Sequence, residues 1–301
     1  MNDQLVTGGT PDVEKCFALY KFHKEKKKKW TQSMERARKR ICDLIGNLMP
    51  DQITQTMCEK IVEDRLKLGL ARDTVRIEMA YLRAAVRHAA REKRIKQAPF
   101  IYVPSGGEAR ERWMTQEEVR QLIGGAYELH VKLFIILAVT TAARPSHILG
   151  LTWDRVDMDA LIVDFRDPGQ AENKKRRPRV PINATCLEHL KIAAELSRTD
   201  HVIEYRGKGG FGNIKKGIAE AARRAGLAGV SPYVLRHTAG VWMAKAGVPM
   251  QEIGAYMGHK DLKTTIKHYA HFHPDFLRKA AGALEIENGP KGRLVQIGPE
   301  A

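Results

Sequence analysis

The sequence predicts a mainly helical α+β protein of two domains, with one small β-sheet in the second domain. Its 301 residues exceed the usual size of a single domain. Apolar residues recur at helical spacing along most of the chain. The stretch QAPFIYVPSGGEARER at 97–112 has two prolines, paired glycines and then charges, which is typical of an interdomain linker. We therefore expect a helical domain at 10–95, a linker at 96–112, a second domain at 113–285 and a flexible tail at 286–301.

The charge balance favours a polyanionic partner. Lys and Arg number 51 against 35 Asp and Glu, which gives a formal net charge of +16, and such an excess attracts nucleic acid or an anionic membrane surface. The four cysteines, Cys16, Cys42, Cys58 and Cys186, have neither metal-site spacing nor the pattern of a disulfide framework. The sequence has no secretion signal at its start and no long uncharged apolar run. We expect a soluble protein of the cytoplasm.

The first domain is expected to consist of helices alone, roughly at 12–28, 32–47, 51–68 and 73–94. In the last of these one face is apolar at helical spacing, through Val75, Met79, Leu82, Val86 and Ala89. Other positions of the same helix carry a basic stripe suited to phosphate contact, made of Arg76, Arg83, Arg87, Arg91 and Arg94. A solvated face is the alternative for this stripe, and the run KEKKKKW at 24–30 is ambiguous in the same way.

The second domain is expected to combine helices with a small sheet. Thr115-Gln-Glu-Glu118 has the form of a capping box at a helix N-terminus. The apolar run LFIILAVTTAA at 133–143 predicts a buried helix that leads to Arg144. ALIVDF at 160–165 and RVPI at 179–182 predict strands around a basic connection. Later helices are expected at 183–198, 212–226, 234–246 and 249–257.

Four segments of the second domain combine basic residues, histidines and a tyrosine in a fixed order. They are TTAARPSHILGLTWDRVD at 140–157, ENKKRRPRVPI at 172–182, SPYVLRHTAG at 231–240 and MGHKDLKTTIKHYAHFHPDFL at 257–277. In this order they resemble the four sequence boxes of the tyrosine recombinases, the phage-integrase family. The resemblance covers nearly the whole chain, because 10–95 is similar to the helical core-binding (SAM-like) domain of that family and 115–285 to its catalytic domain.

The resemblance implies a site for DNA strand breakage and rejoining. It matches Arg144 and Arg236 to two catalytic arginines, His259 to a catalytic histidine and Tyr269 to the nucleophile. Arginine forks meet the charge on nonbridging phosphate oxygens bidentately. A tyrosine hydroxyl that attacks phosphorus forms an ester that keeps the bond energy for rejoining, so no ATP, metal or other cofactor is required. His259 would hydrogen-bond the phosphate and help to move the proton of the nucleophile.

Three further positions belong to the implied site. Lys174 matches the lysine at the tip of a β-hairpin by its distance from Pro181, with Lys175 as the alternative, and it would protonate the departing 5′ oxygen. Tyr233 stands where the family has a histidine, and a phenol still donates one hydrogen bond to a phosphate oxygen. His147 stands where the family has an acidic residue that supports its catalytic neighbours, so local geometry and activity could differ.

The resemblance also implies an architecture and partners. We expect a C-shaped clamp of two domains around duplex DNA, with Arg76, Arg83, Arg87 and Arg91 as DNA-binding residues. We further expect a homotetramer on DNA that integrates or excises a mobile element by site-specific recombination, with directionality or DNA-bending factors as further partners and no membrane contact. The apolar stripe of the segment 274–284 is expected to dock on a neighbouring protomer. The roughly ten residues before the first helical pattern are too few for the arm-binding domain of some integrases.

Other functions compete with this interpretation. The histidines at 268, 271 and 273 suggest a metal site, although no acidic or cysteine partner has ligand spacing. The glycine-rich GKGGFG at 207–212 lacks the Lys-Ser/Thr ending of a phosphate-binding loop and favours a flexible turn. A recombinase-fold protein that binds DNA without cutting is the alternative that His147 and Tyr233 support. A metal-dependent nuclease is a third, which lacks an acidic cluster.

Overall fold

The computed structural model describes residues 10–107, 112–166, 177–210 and 212–284, and the chain divides into two compact units, Met1–Arg110 and Glu111–Ala301. Helices dominate both units, and the strands of the described residues all lie in the second unit. The mainly helical α+β class predicted from the sequence is therefore confirmed. No helix in these ranges has both the length and the apolar character needed to cross a membrane.

The first unit is a bundle of four helices around one apolar core. The helices are α1 (Val13–Lys26), α2 (Gln32–Ile45), α3 (Gln55–Lys67) and α4 (Arg72–Arg91). Asp12, Thr31 and Thr54 cap the first three, since each side chain accepts a backbone N–H of the first turn. The longest helix, α4, packs against the other three. Its predicted apolar face is fully buried.

A buried carboxylate ties α4 to two neighbouring helices. Glu78 accepts hydrogen bonds from Arg40 of α2 at 2.8 Å and from Arg65 of α3 at 3.1 Å. A buried charge is tolerated only when it is paired in this way, and removing one partner of such a pair typically costs about 3–5 kcal/mol. Helical periodicity carries no signal for this contact, because its partners come from three different helices.

The segment predicted as a linker begins on the first unit. Ile101 is 2% exposed in the core of that unit, and Tyr102 and Val103 pack against the same core. Farther along, the backbone N–H of Gly107 donates to Asp73. Residues 101–107 therefore pack against the helical bundle, with Ile101 inside its core, and 108–111 lie outside the described residues.

The second unit contains nine α-helices and two small sheets among its described residues. The helices are α5 (Gln116–Gly125), α6 (Leu129–Thr141), α7 (Pro145–Leu149), α8 (Ala184–Leu196), α9 (Lys215–Arg224), α10 (Pro232–Lys245), α11 (Met250–Met257), α12 (Leu262–Tyr269) and α13 (Arg278–Gly282). The apolar run that was expected to be buried forms α6, which packs against α5, α8, α9 and α10. This central helix ends beside the site described below.

The main sheet is antiparallel, with the strand order β1 (Val156–Asp157), β2 (Ile162–Asp164) and β3 (Arg179–Pro181). Val163 pairs with Val180, and both side chains enter the core. β2 and β3 form the hairpin that the sequence predicts. Its connection at 167–176, which contains Lys174 and Lys175, lies outside the described residues.

A second hairpin replaces part of the turn expected at 207–212. β4 (Glu204–Tyr205) pairs with β5 (Lys208–Gly209), and the two connecting residues, Arg206 and Gly207, both have positive φ, at 52° and 71°. Two positive φ values in a two-residue connection are what a tight hairpin turn requires. The turn expected at 207–212 is thus present at Gly207, whereas Lys208 and Gly209 form a strand in place of the turn.

Candidate active site

The site begins where α6 ends and the chain reverses into α7. Ala142 stops α6 with φ 50° and ψ 20°, in the left-handed region that favours glycine. An L-residue in that region costs about 1–2 kcal/mol, and the fully buried methyl group of Ala142 packs in a small apolar cluster. Arg144 then occupies the N-cap of α7, with Pro145 at the first helical position. The turn thus connects the buried helix α6 to Arg144, whose side chain is half-buried.

Arg236 is the centre of the site. It projects from α10, is only 7% exposed and donates to two backbone oxygens, that of Ala142 at 2.5 Å and that of Met257 at 2.9 Å. Its Nη2 also lies 3.0 Å from Nε2 of His259. Burial, and then the charge of Arg144, lowers the pKa of Arg236 to about 10. The guanidinium is still charged near pH 7 and is held in one orientation.

Arg144 lies close enough to Arg236 for the two charges to affect each other. Its Nη2 donates to the backbone oxygen of Gly258 at 3.1 Å, next to His259. Burial lowers the pKa of Arg144, while the nearby phenol of Tyr233 acts in the opposite direction. Two cations that remain charged while partly buried make a strong anion site, because solvent screens them little.

His259 is neutral near pH 7. Burial is the main cause, and the positive charges of Arg236 and Arg144 add to it, so that the pKa falls to about 4. On the other side of the ring, Nδ1 lies 2.8 Å from Oγ1 of Thr265. The imidazole is therefore hydrogen-bonded at both nitrogens, between α10 and α12.

Tyr269 is the last residue of α12 and is 5% exposed. Its ring is nearly parallel to that of His259, at 6.4 Å between centroids and 12° between planes. The ring of His237 lies 5.3 Å away on another side, and Gly240 of α10 lies directly beneath the phenol. Burial raises the pKa of Tyr269 to about 12, although Arg236 acts against this shift. The hydroxyl is therefore protonated near pH 7 and needs a base to become a nucleophile.

Two sequence-predicted positions differ in their surroundings. Tyr233, in the first turn of α10, is 63% exposed, and its phenol lies near enough to affect the pKa of both arginines. His147 is buried on α7, with its ring 6.5 Å from that of Phe165. The histidine in the acidic position is thus buried near Phe165, whereas Tyr233 faces solvent.

The structure brings Arg144, Arg236, His259 and Tyr269 together from four separate elements. Lys174 lies outside the described residues. Sequence reasoning did not single out the roles of Thr265, His237 and Gly240, although all three lie inside the third and fourth boxes. The sequence signal that could have indicated Thr265 is its place in the fourth box, between His259 and Tyr269.

The basic stripe of α4 lines a groove on the first unit. Arg83, Arg87 and Arg91 line a cavity of about 610 Å³ together with His23 and Lys24 of α1. Within the described part of the chain, these three arginines form no ion pair with a carboxylate. Arg76 does not line the groove, and its Nε instead contacts Asp73 at 3.3 Å. The groove therefore has a high density of uncompensated positive charge, which suits a phosphate backbone.

The histidines at 268, 271 and 273 do not assemble a metal site. Across the described ranges, no group of three or more His, Cys, Asp or Glu side chains has an arrangement that could hold a metal ion. His271 instead lies against Phe272, with 4.1 Å between the ring centroids.

The chain matches one protein family and is similar to a known integrase. A model described as "Phage integrase family" matches residues 112–275, more than half of the chain. The integrase of Salmonella phage P22 is 26% identical over 220 residues, which cover 69% of this chain and 56% of that protein. The chain thus spans about half the length of this curated relative.

Solved structures share the fold at low identity. The Tn1549 transposon integrase, in complex with a circular intermediate DNA, superposes with a TM-score of 0.74 at 15% identity, covering 91% of this chain and 100% of that one. A lambda integrase tetramer bound to a Holliday junction gives a TM-score of 0.70 at 16% identity, covering 88% of this chain and 79% of that one. At these identities the likeness establishes the fold alone.

Proposed function

Because the chain belongs to the phage integrase family, we propose that it is a site-specific DNA recombinase that cuts and rejoins duplex DNA through a 3′-phosphotyrosine on Tyr269. The observation that supports this most strongly is the cluster of Arg144, Arg236 and His259 beside the buried phenol. Two arginines that stay charged next to a tyrosine suit phosphoryl transfer, because negative charge develops on the nonbridging oxygens during attack.

In the proposed cleavage step, Oη of Tyr269 bonds to phosphorus and the bond from phosphorus to the 5′ oxygen breaks. The proton of the phenol passes to a base, for which His259 is the candidate. The departing 5′ oxygen takes a proton from Lys174, or from Lys175 as the alternative. Rejoining is the reverse reaction with a 5′ hydroxyl from another strand, so the ester itself supplies the energy and no nucleotide cofactor enters.

The first unit is proposed to hold the DNA by its backbone. Arg83, Arg87 and Arg91 present unpaired charge in one groove, and contacts of this kind fix position without reading sequence. We propose that the two units close on duplex DNA as a C-shaped clamp and that four copies assemble for strand exchange. The lambda integrase tetramer on a Holliday junction supports the assembly by analogy of fold.

The biological setting is proposed to be the integration or excision of a mobile element in the cytoplasm. The four cysteines are free thiols, and burial raises the pKa of each, which suits a reducing compartment. Directionality or DNA-bending factors would be further partners of the complex.

A second function is DNA binding without cleavage. Two observations favour it: Tyr269 is 5% exposed with a raised pKa, and the positions of His147 and Tyr233 depart from the resembled boxes. In that case the arginine cluster would bind a phosphate without transferring it.

A suicide DNA substrate distinguishes these functions. The substrate carries the junction sequence that flanks the gene, with a nick that traps the covalent intermediate, and the adduct is resolved on a denaturing gel. The unsubstituted chain should form an adduct in the presence of EDTA, and Tyr269→Phe should bind the DNA without forming one. Tyr256→Phe is the matched control. It removes another partly buried tyrosine hydroxyl, which donates to the backbone oxygen of Thr140 at 2.8 Å, and its loss should cost only about 1 kcal/mol of stability.

Each other outcome overturns the proposal in a distinct way. Binding without an adduct would favour the non-cleaving function. Free DNA ends that form only in the absence of EDTA would indicate a metal-dependent nuclease. An adduct that persists in Tyr269→Phe would mean that another residue is the nucleophile.

A further inference from the structure

We propose that Thr265 is a positioning residue, which fixes His259 as its Nδ1–H tautomer and keeps the Nε2 lone pair directed at Arg236. The inference rests on the proposed function, since it concerns how the same site is prepared before DNA arrives. Thr265 touches no reacting atom itself. It would act through the imidazole.

The tautomer follows from the two hydrogen bonds of the ring. Nε2 of His259 lies 3.0 Å from Nη2 of Arg236, and a guanidinium has donors only. Nε2 must therefore accept, so it carries no proton. A neutral imidazole then has its single proton on Nδ1, which donates to Oγ1 of Thr265 at 2.8 Å. The threonine is thus the acceptor that this tautomer requires.

The imidazole is neutral because of its surroundings. Positive or titratable groups face it from three elements: Arg236 of α10, Arg144 at the start of α7, and His268 of α12 itself. Each disfavours an added proton, and burial acts in the same direction. Tyr269 lies on the flat side of the ring and brings no charge while it is protonated.

The position of Thr265 is itself constrained. Its side chain is fully buried, whereas that of Thr264 beside it is exposed. A Cβ atom on Gly254 of α11 would lie 3.0 Å from Oγ1 of Thr265, so α11 approaches the hydroxyl closely. A glycine at this contact lets α12 sit near enough for Oγ1 to reach the imidazole.

The arrangement gives His259 a defined role before attack. When a phosphate oxygen replaces Nε2 as the acceptor of the Arg236 N–H, while the backbone oxygens of Ala142 and Met257 keep the guanidinium in place, Nε2 is left as an unprotonated acceptor. It can then take the proton of Tyr269 as Oη bonds to phosphorus, while Nδ1–H remains on Thr265. The opposite tautomer would present a proton at Nε2 and could not act as this base.

A matched pair of substitutions isolates the hydroxyl. Thr265→Ser and Thr265→Ala both lose the methyl group and differ only in Oγ. Thr264→Ala, at the exposed neighbouring position, controls for helix propensity. The protein is labelled with ¹⁵N-histidine, and long-range ¹H–¹⁵N spectra at pH 7 report which nitrogen of His259 is protonated, with His259→Gln assigning the signal among the 11 histidines. The rate of adduct formation on the suicide substrate is measured in parallel.

We expect the Nδ1–H form in the unsubstituted chain, in Thr265→Ser and in Thr264→Ala, and a mixture of tautomers in Thr265→Ala. Adduct formation should slow about tenfold or more in Thr265→Ala, a part of the factor that proton transfer typically contributes, and should stay within about threefold in Thr265→Ser. An Nε2–H signal in the unsubstituted chain, or an unchanged spectrum in Thr265→Ala, would overturn the proposal.

The two readouts keep this proposal separate from the proposed function. If the unsubstituted chain forms no adduct, the recombinase proposal fails, and the spectra alone then decide whether Thr265 fixes the tautomer. If adducts form but Thr265→Ala reacts at the parental rate, Thr265 has no positioning role, while the recombinase proposal stands.

Discussion

The phenol ring of Tyr269 rests directly on the backbone of Gly240. A Cβ atom at Gly240 would lie 2.4 Å from Cε1, 2.5 Å from Cζ and 2.9 Å from Oη of Tyr269. Carbon atoms do not approach each other so closely, so α10 can pass beneath the phenol only where it has no side chain. Gly240 therefore sets how deeply Tyr269 is buried.

Gly240→Ala should displace Tyr269, the proposed nucleophile. A shift of about 1 Å away from the arginine cluster can lower a rate about 100-fold, so we expect a loss of that size in adduct formation, with DNA binding retained. The better helix propensity of alanine, by up to about 1 kcal/mol, partly offsets the clash in stability. Gly124→Ala on α5 is the matched control, because nothing lies within 4 Å of a Cβ there. A parental rate of adduct formation in Gly240→Ala would show that the phenol ring can shift without loss of activity.

Tyr233→Phe tests the exposed phenol at the rim of the site. If the hydroxyl donates to a nonbridging phosphate oxygen, its loss should slow cleavage by about 10²–10³, as the loss of one oxyanion donor does. Tyr233→His should remain active, because it restores a donor. Since Tyr233 is 63% exposed, neither substitution should alter the thermal midpoint of unfolding. Single-turnover cleavage at saturating DNA is the measurement, and an unchanged rate in Tyr233→Phe would assign the hydroxyl to solvent.

His259 should make stability depend on pH. Its pKa is about 4 in the folded chain, below its ordinary value of 6.5, so between these pH values the unfolded chain binds more protons. The free energy of unfolding should therefore fall as the pH drops from about 6.5 to about 4, by about 3 kcal/mol in total, and this contribution is fully present above about 6.5.

Chemical denaturation at pH 7 and pH 4.5 tests this dependence against His259→Gln. The pKa values of His23, His88 and His130 are also lowered, but they affect both proteins equally. The substituted chain should lose about 2–3 kcal/mol less than the unsubstituted chain over this interval. Equal losses would mean that His259 titrates near its ordinary value.

Arg83 and Arg87 should control the salt dependence of DNA binding. Each phosphate contact contributes a slope of about 0.9 to the fall of log affinity with log salt concentration. Replacing both by alanine should flatten that slope by about two and weaken binding to unrelated DNA as well. Lys60→Ala with Lys67→Ala, on exposed positions of α3 outside the groove, removes the same charge. Fluorescence anisotropy over a salt series compares them, and equal slopes would place the stripe in solvent.

Most of the helices and the hairpin could be predicted from the sequence because burial repeats along each element, whereas the short helices α7 and α12 were not predicted. The apolar face of α4 begins at Val75 and ends at Ala89, and the buried run of 133–143 became most of α6. β2 and β3 lie inside the predicted strands. The resemblance assigned Arg236 and His259 to one implied site, and in the structure their Nη2 and Nε2 atoms lie 3.0 Å apart.

Contacts between elements could not be predicted in this way. The left-handed backbone of Ala142 has no signal in an alanine, which prefers helix. Gly240 meets Tyr269 across 29 positions, and the relation depends on how α10 and α12 pack. The bond between Thr265 and His259 depends on where α12 begins. Periodicity indicates which face of a helix is buried, but it does not indicate which polar residue of a neighbouring element contacts that face.

Backbone oxygens fix the guanidinium of Arg236 in the folded chain, so salt should affect this arginine less than it affects the arginines of the groove. Its guanidinium is immobilised during folding, so the entropy of ordering that side chain, about 2 kcal/mol, is lost then and not when DNA binds. Because it is buried, dissolved ions shield it poorly, whereas they shield the arginines of the groove well. Rising ionic strength should thus release DNA long before it weakens the field that acts on a bound phosphate. Ionic strength should therefore change the affinity for DNA while it leaves the rate of the chemical step on bound DNA nearly unchanged.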